Sequence, residues 1–159
     1  MEANLVEKIG KGYKLTNFGK EFANRFDTDS QKVTYEKQAK ISVLPCGVKK
    51  EGGVVKYLIQ QRLKQPFYGY HGFMSGKVRL GEVPPETVRR EFKEETGLTG
   101  DFSLKGILHK MDYSPEGNLL EDKYFFVFRV NRIQGELIEN FDGGRNLWLS
   151  QKEIRQLPD

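Results

Sequence analysis

The stretch that decides the fold runs from Gly76 to Leu98 and reads GKVRLGEVPPETVRREFKEETGL. Within it Glu91, Glu94 and Glu95 recur at i, i+3 and i+4, which places them on one face of an α-helix, about 5–6 Å apart. Carboxylates this close repel each other unless a positive charge lies among them. The simplest such charge is a hard divalent cation, which takes oxygen ligands. The stretch therefore predicts a helix with a metal-binding acidic face.

The spacing of this stretch is specific. Gly76 is followed by five residues, then Glu82, then seven residues, then the run REFKEETGL. A random window matches seven such identities with a probability on the order of 10⁻⁸. The glutamate triplet alone would be weak evidence, because a solvated helix face explains it more often. The complete pattern resembles the signature of the Nudix hydrolases at every fixed position, with Phe92 as the apolar residue at the first aliphatic place.

This resemblance implies a fold and an activity. The implied fold is α/β, a Nudix-type α/β/α sandwich with a mixed β-sheet. The implied activity is hydrolysis of a nucleoside diphosphate linked to another moiety, with Mg²⁺ or Mn²⁺ as cofactor. We expect a nucleoside triphosphate or a small nucleotide conjugate as substrate, because the compact domain shows no large insertion.

Composition narrows the class of protein. The 159 residues suffice for one domain with a real core. No apolar run is long enough to span a bilayer, and the N-terminus lacks the apolar core of a signal peptide, so we expect a cytoplasmic protein without a membrane partner. Cys46 is the sole cysteine, which excludes an internal disulfide and favours a buried apolar role. The net charge of +4 suits a polyanionic partner, and nucleotides qualify as well as nucleic acid.

The order of elements supports the same class. Strand-like stretches lie on both sides of a helix that begins at Pro84 and Pro85 and ends at Gly97. The predicted strands are Gln38–Lys49, Val54–Leu63, Phe102–Tyr113, Lys123–Val130, Gly135–Ile138 and Asn146–Leu149, and a short helix follows from Ser150. This order predicts a mixed sheet covered by helices on both faces. Pro45 within the first strand predicts a bulge or an edge.

The first residues form a separate extension, so we divide the chain into an N-terminal extension, 1–35, and a catalytic domain, 36–159. The extension is a β-hairpin over Leu5–Thr16, a helix over Asn17–Phe26 and a linker from Asp27 to Lys32. It resembles the wing hairpin and following helix of a winged-helix domain, but the helices that read the major groove are absent. We favour packing against the catalytic domain or a second subunit. Nucleic acid is a disfavoured partner, and a homodimer stays open.

Site roles follow from the resemblance. The metal would be held by Glu91, Glu94, Glu95 and the carbonyl of Gly76. Arg90 is expected to hold a neighbouring glutamate, because its guanidinium fork fits a carboxylate bidentately. Glu82 would support the metal ligands by contacting Arg90 or a metal-bound water, or would instead stabilise the helix N-terminus.

The general base has two candidate sources. Glu91 on the helix is our first choice. The later acids are Glu116, Glu121 and Asp122, of which we prefer Glu121, because it directly precedes the strand over Lys123–Val130.

Substrate contacts are expected outside the helix. Arg62 and Lys77 would bind phosphate, and Tyr70 and His71 would contact the ligand, Tyr70 by stacking on a base. Phe67 and Phe73 are expected to pack the glycine-rich loop instead.

Two rival functions remain. One is a nucleotide-sensing regulator that contacts DNA through the hairpin, where Lys8, Lys11 and Lys14 could bind phosphate. The complete glutamate set and the missing recognition helices argue against it. The other is a prenyl diphosphate isomerase of the same fold, which would need a cysteine at the reacting carbon, whereas Cys46 lies in an apolar strand.

Overall fold

The computed structural model of the protein describes residues 5–16, 19, 26–27, 34–35, 38–64 and 67–157, without the side chains of residues 26–27 and 34–35. The chain divides into two compact units, Met1–Ala39 and Lys40–Asp159. None of the helices in these described ranges is long and apolar enough to cross a membrane.

The N-terminal unit contains the expected hairpin. Strands β1 (Val6–Ile9) and β2 (Gly12–Leu15) pair antiparallel around a turn in which Gly10 adopts φ 59°. A second, unpredicted antiparallel pair joins β3 (Phe26–Asp27) and β4 (Thr34–Tyr35).

The helix predicted over Asn17–Phe26 is wrong at its end, because Phe26 belongs to β3. Its other residues, except Gly19, lie outside the described residues. So does the predicted linker after Asp27.

The second unit is built on a mixed sheet, as predicted. Its strands are β5 (Lys40–Glu51), β6 (Val54–Arg62), β7 (His71–Gly72), β8 (Gly76–Lys77), β9 (Thr99–Tyr113), β10 (Leu119–Gln134), β11 (Asn140–Phe141) and β12 (Gly144–Ser150). The order across the sheet is β11-β12-β6-β5-β10-β9, with β7 added to β6 and β8 added to β5. Only the β5–β10 pair is parallel among the pairs that the structure describes.

The central helix begins and ends where the sequence predicts. Helix α1 (Pro84–Thr96) starts with prolines whose missing N–H groups cost nothing there. Gly97 ends it with φ 72°, donating its N–H to the Lys93 carbonyl. Phe92, fully buried, anchors the helix on the sheet and packs edge-on against Phe102 at a ring distance of 5.5 Å. The opposite face of the helix is left for the glutamates.

The chain ends in a short second helix. Helix α2 (Gln151–Ile154) starts at Ser150, whose hydroxyl and backbone exchange hydrogen bonds with Glu153 in a capping box. The sequence predicted a short helix from Ser150, which in the structure is the N-cap residue before Gln151.

Pro45 lies in the interior strand β5 at a local gap in the pairing on one side, which suits its missing N–H. On one side β5 pairs with β10, where Pro45 lies opposite Phe128. On its other side the described pairing with β8 ends at Val43 and that with β6 begins at Val48.

The strand predicted over Gly135–Ile138 is wrong. This segment is irregular, and Ile138 bonds to the end of α1 and to a side chain of β12 instead of joining a strand ladder. The Ile138 N–H donates to the Thr96 carbonyl at 2.9 Å, and the Asn146 side chain donates to the Ile138 carbonyl at 2.7 Å. Gly135, at φ 107°, passes so close to Gly97 that an added Cβ would lie 3.0 Å from its carbonyl oxygen. The segment therefore packs against the C-terminal end of α1 instead of extending the sheet.

Candidate active site

Arg90 organises the acidic face of α1. Its Nε and Nη2 donate to the two carboxylate oxygens of Glu82 at 2.7 and 2.8 Å, a bidentate pair. Glu82 also accepts from the Thr87 hydroxyl at 2.9 Å and the Arg79 backbone N–H at 3.2 Å. The Arg90 hydrogen bond, which is the largest influence, lowers the pKa of Glu82 to about 2. Of the two roles considered for Glu82, contact with Arg90 is the one observed.

The remaining side-chain nitrogen of Arg90 donates to two of the glutamates on the acidic face of α1. Nη1 donates to Glu91 at 2.6 Å and to Glu94 at 3.2 Å. Hydrogen bonding to Glu82, then to Glu91, raises the pKa of Arg90, which therefore stays charged. From the sequence we expected Arg90 to hold one neighbouring glutamate, whereas in the structure it contacts three. With Glu95 included, four carboxylates against one guanidinium leave a net charge of −3. The cluster can still attract a divalent cation.

Gly76 lies directly against Glu91. Strand β8 holds Gly76 opposite Val43 of β5, beneath the helix. A Cβ added to Gly76 would lie 2.1 Å from the Glu91 Cγ and 2.7 Å from its Oε2. Only a glycine therefore lets the carboxylate lie against the backbone at this point. Backbone carbonyl and carboxylate oxygens are the donor types that a hard cation prefers, so the residue types at this point fit Mg²⁺ or Mn²⁺.

Glu95 connects the acidic face with a cavity. Its Oε2 accepts a hydrogen bond from the Gln60 amide at 2.8 Å. Burial, reinforced by the charges of Glu91 and Glu94, raises the pKa of Glu95. Within the described residues, no three His, Cys, Asp or Glu side chains stand close enough together to hold a metal ion as they are. Glu94 is drawn to Arg90 and Glu95 to Gln60, so a cation would have to compete with these contacts.

The cavity has a volume of about 800 Å³ and extends across one end of the sheet, from β11 to β9. Aromatic and cationic side chains line much of it. The aromatic residues are Phe67, Tyr70, Phe73, Phe125 and Phe141, and the basic residues are Arg62, Lys64, His71, Lys110 and Lys123. Such a wall suits a ligand with both phosphates and an aromatic base.

Three of the four predicted substrate contacts lie together here. The Arg62 N–H donates to the Tyr70 carbonyl at 2.8 Å, and the Arg62 carbonyl accepts from Gly69 at 2.7 Å, so the loop closes onto the end of β6. The next residue, His71, has a buried Nδ1 with no hydrogen-bond partner in the described part of the chain. A bound ligand could supply that partner.

Phe67 and Phe73 do more than pack this loop. Both are more than a third exposed and line the cavity beside Tyr70, against which the Phe67 ring lies edge-on. Phe67 also holds the left-handed φ of 68°, uncommon for a bulky residue, which turns the loop back toward Arg62.

Three other residues considered from the sequence differ in their position relative to the cavity: Lys77, Glu121 and Cys46. Lys77 is exposed and does not line the cavity, because Gly76 faces Glu91 and the next residue of a strand points the opposite way. Glu121 lines the cavity. Burial works to raise its pKa, but hydrogen bonds from Lys123 and Lys40 leave it below the ordinary value, which weakens it as a base. Cys46 lies on β5 outside the cavity lining, and burial raises its pKa.

The sequence analysis missed two residues that fix Glu95. Gln60 reaches it from β6, and the buried Asn146 on β12 donates to the Glu95 carbonyl at 2.8 Å. Asn146 follows Arg145 and directly precedes the apolar run Leu-Trp-Leu, and this position next to a predicted strand core was its local signal, since a buried amide needs partners. Gln60 gave no local signal.

The comparisons with known proteins agree with this geometry. The family model of the NUDIX domain matches residues 36–159. An ADP-ribose pyrophosphatase of Methanocaldococcus jannaschii is 32% identical over 129 residues, 80% of this chain and 73% of that protein. The structure of a MutT protein from Bacillus halodurans is 28% identical over 75% of this chain and 73% of its own, with a TM-score of 0.62.

A second solved structure matches more of the chain at lower identity. The NUDIX domain of Shewanella oneidensis NrtR, solved with ADP ribose, covers 91% of this chain and 89% of its own at 16% identity and a TM-score of 0.66. A longer NrtR chain, solved with a 27mer DNA, is matched over 54% of its length with a TM-score of 0.55. These likenesses concern the fold alone.

The chain belongs to the Nudix family. It is a hydrolase that acts on acid anhydrides in phosphorus-containing compounds. Nudix hydrolases generally use divalent metal ions.

Proposed function

We propose that the chain is a metal-dependent pyrophosphohydrolase. Its substrate is a nucleoside diphosphate linked to another moiety, either a nucleoside triphosphate or a small nucleotide conjugate. The observation that carries this proposal is the cluster of Glu82, Glu91, Glu94 and Glu95 around the single guanidinium of Arg90. Glu95 joins this cluster to a cavity lined by aromatic, basic and acidic side chains. Acids alone would repel a diphosphate, and a cation between the two reverses that repulsion.

The residues that would hold the ion are Glu91, Glu94, Glu95 and the backbone of Gly76. A bound Mg²⁺ or Mn²⁺ supplies charge neutralisation and a more acidic water. Arg90, fixed by Glu82, holds Glu91 and Glu94 in place, so that the carboxylates are oriented before the substrate arrives.

Glu91 remains our choice for the general base. It would take the proton of the water that attacks phosphorus, while the anhydride P–O bond breaks. The products are a nucleoside monophosphate and the phosphorylated second moiety, or pyrophosphate when the substrate is a triphosphate. Glu121 is the weaker choice because its charge is already engaged by Lys123 at 2.7 Å and Lys40 at 3.2 Å.

The cavity residues would bind the rest of the substrate. Arg62 would contact phosphate, the unpartnered Nδ1 of His71 would hydrogen-bond the ligand, and Tyr70 would stack on the base. The names of two similar proteins support a nucleotide ligand: one is an ADP-ribose pyrophosphatase, and the other was solved with ADP ribose.

The test is hydrolysis of a nucleotide panel with Mg²⁺ or Mn²⁺, measured as mononucleotide release. Glu94→Gln should lower turnover by about 10² or more, as expected when a charged transition-state contact is lost. The thermal midpoint should change little, because the Glu94 side chain is 52% exposed. Glu86→Gln, the same change in the first turn of the same helix, is the matched control. Wild-type turnover in Glu94→Gln would remove Glu94 from the metal site.

A regulator that senses a nucleotide and contacts DNA is the second candidate. Its support is the fold likeness to NrtR, solved with a 27mer DNA, and the exposed Lys8, Lys11 and Lys14 on the N-terminal hairpin. Duplex binding that weakens between 50 and 200 mM salt with a log–log slope of about −3, as expected for one phosphate contact from each of these lysines, would favour it. Absence of such binding at 50 mM salt would exclude it.

A further inference from the structure

Four charged side chains on β9 and β10 form one wall of the cavity, at the opposite end of the cavity from Arg62 on β6. We call Lys110, Asp112, Glu121 and Lys123 the charge quartet. Along β9, Lys110 donates to Asp112 at 2.9 Å, and along β10, Lys123 donates to Glu121 at 2.7 Å. Across the ladder, Lys110 lies opposite Lys123, and Asp112 lies opposite Glu121.

Pairing between β9 and β10 does not account for the order of the quartet's charges. Like charges directly opposite each other on neighbouring strands are destabilising, and the reverse order on one strand would have paired opposite charges across the ladder. Three of the four side chains are less than a quarter exposed, so solvent screens them only in part. Proteins keep side chains that lower stability mainly where those side chains bind a ligand or take part in a reaction, so the like charges facing each other on this wall indicate a binding site.

The quartet offers hydrogen-bond donors and acceptors in equal measure. Its two ammonium groups only donate, its two carboxylates only accept, and the charges of these four side chains cancel. Lys40, outside the cavity lining, also donates to Glu121 at 3.2 Å. A terminal phosphate has acceptor oxygens and negative charge, so it would meet two carboxylates that repel it. Sugar hydroxyl groups both donate and accept, so a pentose can satisfy lysines and carboxylates together without adding charge.

The position of the quartet suits binding of the substrate's second moiety, at the other end of the cavity from the residues that would stack on the base. In the order β6-β5-β10-β9, the loop after β6 carries Phe67 and Tyr70, and the quartet lies on β10 and β9. Three strand spacings separate β6 from β9, about 14 Å. Glu95 lines the same cavity and marks where a diphosphate would meet the acidic face.

From this geometry we infer that the quartet is a specificity site that selects a sugar as the second moiety and rejects a terminal phosphate. The inference rests on the proposed function and deepens it, since it chooses nucleoside diphosphate sugars over nucleoside triphosphates.

The test compares ADP-ribose with ATP, which share the ADP portion and differ in the second moiety. The variant is Lys110→Gln/Asp112→Asn, which removes one ion pair without changing net charge. Its matched control is Asp101→Asn/Arg132→Gln, because that ion pair also joins β9 and β10, lies outside the cavity lining and is likewise removed without changing net charge. Asp112→Asn alone serves as a second, milder variant.

The expected result is a fall of about tenfold or more in kcat/KM for ADP-ribose, mainly through KM, as for lost hydrogen bonds to charged groups. For ATP the change should stay within about twofold, and the control should match wild type on both substrates. Titration of ADP-ribose without metal ion should show the same loss of affinity.

Two results would overturn the inference: an equal change for both substrates, or a wild-type enzyme that prefers ATP. Either leaves the proposed function standing as long as hydrolysis depends on Glu94. Absence of hydrolysis on every nucleotide would instead refute the proposed function, and metal-free titration would still report whether the quartet distinguishes the two ligands.

Discussion

Replacing Gly76 with alanine tests how the acidic face is built. The added Cβ would lie 2.1 Å from the Glu91 Cγ, whereas ordinary contact begins at 3.4 Å. Glu91 would have to retreat by about 1.3 Å, given that the Gly76 backbone is held in β8. The atom that moves belongs to a flexible side chain, so the fold can survive the change.

The expected cost is large for activity and small for stability. A displacement of about 1 Å at a catalytic group can reduce turnover about 10²-fold. Losing the 2.6 Å contact between Arg90 and Glu91 should cost about 1 kcal/mol, because both side chains keep some exposure, at 19% and 14%. For a protein of this size that is a thermal midpoint lower by about 2–4 °C.

The assay pairs steady-state hydrolysis with thermal unfolding. Gly106→Ala is the control, because an added Cβ at Gly106 meets no heavy atom within 4 Å and the residue lies on β9, away from the helix. Turnover within about threefold of wild type in Gly76→Ala would refute the reasoning. A fall in the midpoint of more than about 10 °C would also refute it, since lost activity would then reflect unfolding.

Three further outcomes are expected. In Glu82→Gln the thermal midpoint should fall less than in wild type as the pH is lowered. The pKa of Glu82 is about 2 in the folded protein against an ordinary 4.5, so the unfolded state binds the proton first as pH falls. Wild type therefore loses stability between about pH 4.5 and about pH 2, and the variant lacks this loss. An equal fall in the variant and in wild type would contradict this. Asn146→Ala should lower the free energy of unfolding by about 2–4 kcal/mol, since the carbonyls of Glu95 and Ile138 lose their donor; denaturant titration measures it, and a loss below about 1 kcal/mol would refute it. Cys46 should react with a disulfide reagent at least about tenfold more slowly in the native than in the unfolded protein at pH 8, because burial raises its pKa, and equal rates would count against a buried thiol.

The helix and its acidic face were readable because they depend on local spacing. Glutamates three and four residues apart share a face in any α-helix, and the two prolines and Gly97 mark its ends through local backbone preferences. The same local reasoning failed over 135–138, where apolar residues suggested a strand. There the Ile138 backbone bonds to Thr96 at the end of α1 and to the Asn146 side chain of β12. Both contacts depend on tertiary packing and not on the local sequence pattern.

The surroundings of Glu95 were not readable. Gln60 is 35 residues away and meets Glu95 only because β6 and α1 pack together. The raised pKa of Glu95 follows from that packing, since burial is its largest cause. Lys77 shows the reverse case, because adjacency to Gly76 in sequence suggested a shared target, and strand alternation turns its side chain elsewhere.

By itself the sequence determined the family, the helix and which glutamates share its face, because these depend on residue identity and on contacts within about four positions. The tertiary structure alone decided that Arg90 holds three carboxylates, that Gly76 meets Glu91, and that β9 and β10 align four charges on a cavity wall. Those features depend on strand register and packing, where a shift of one residue would turn every side chain to the other face.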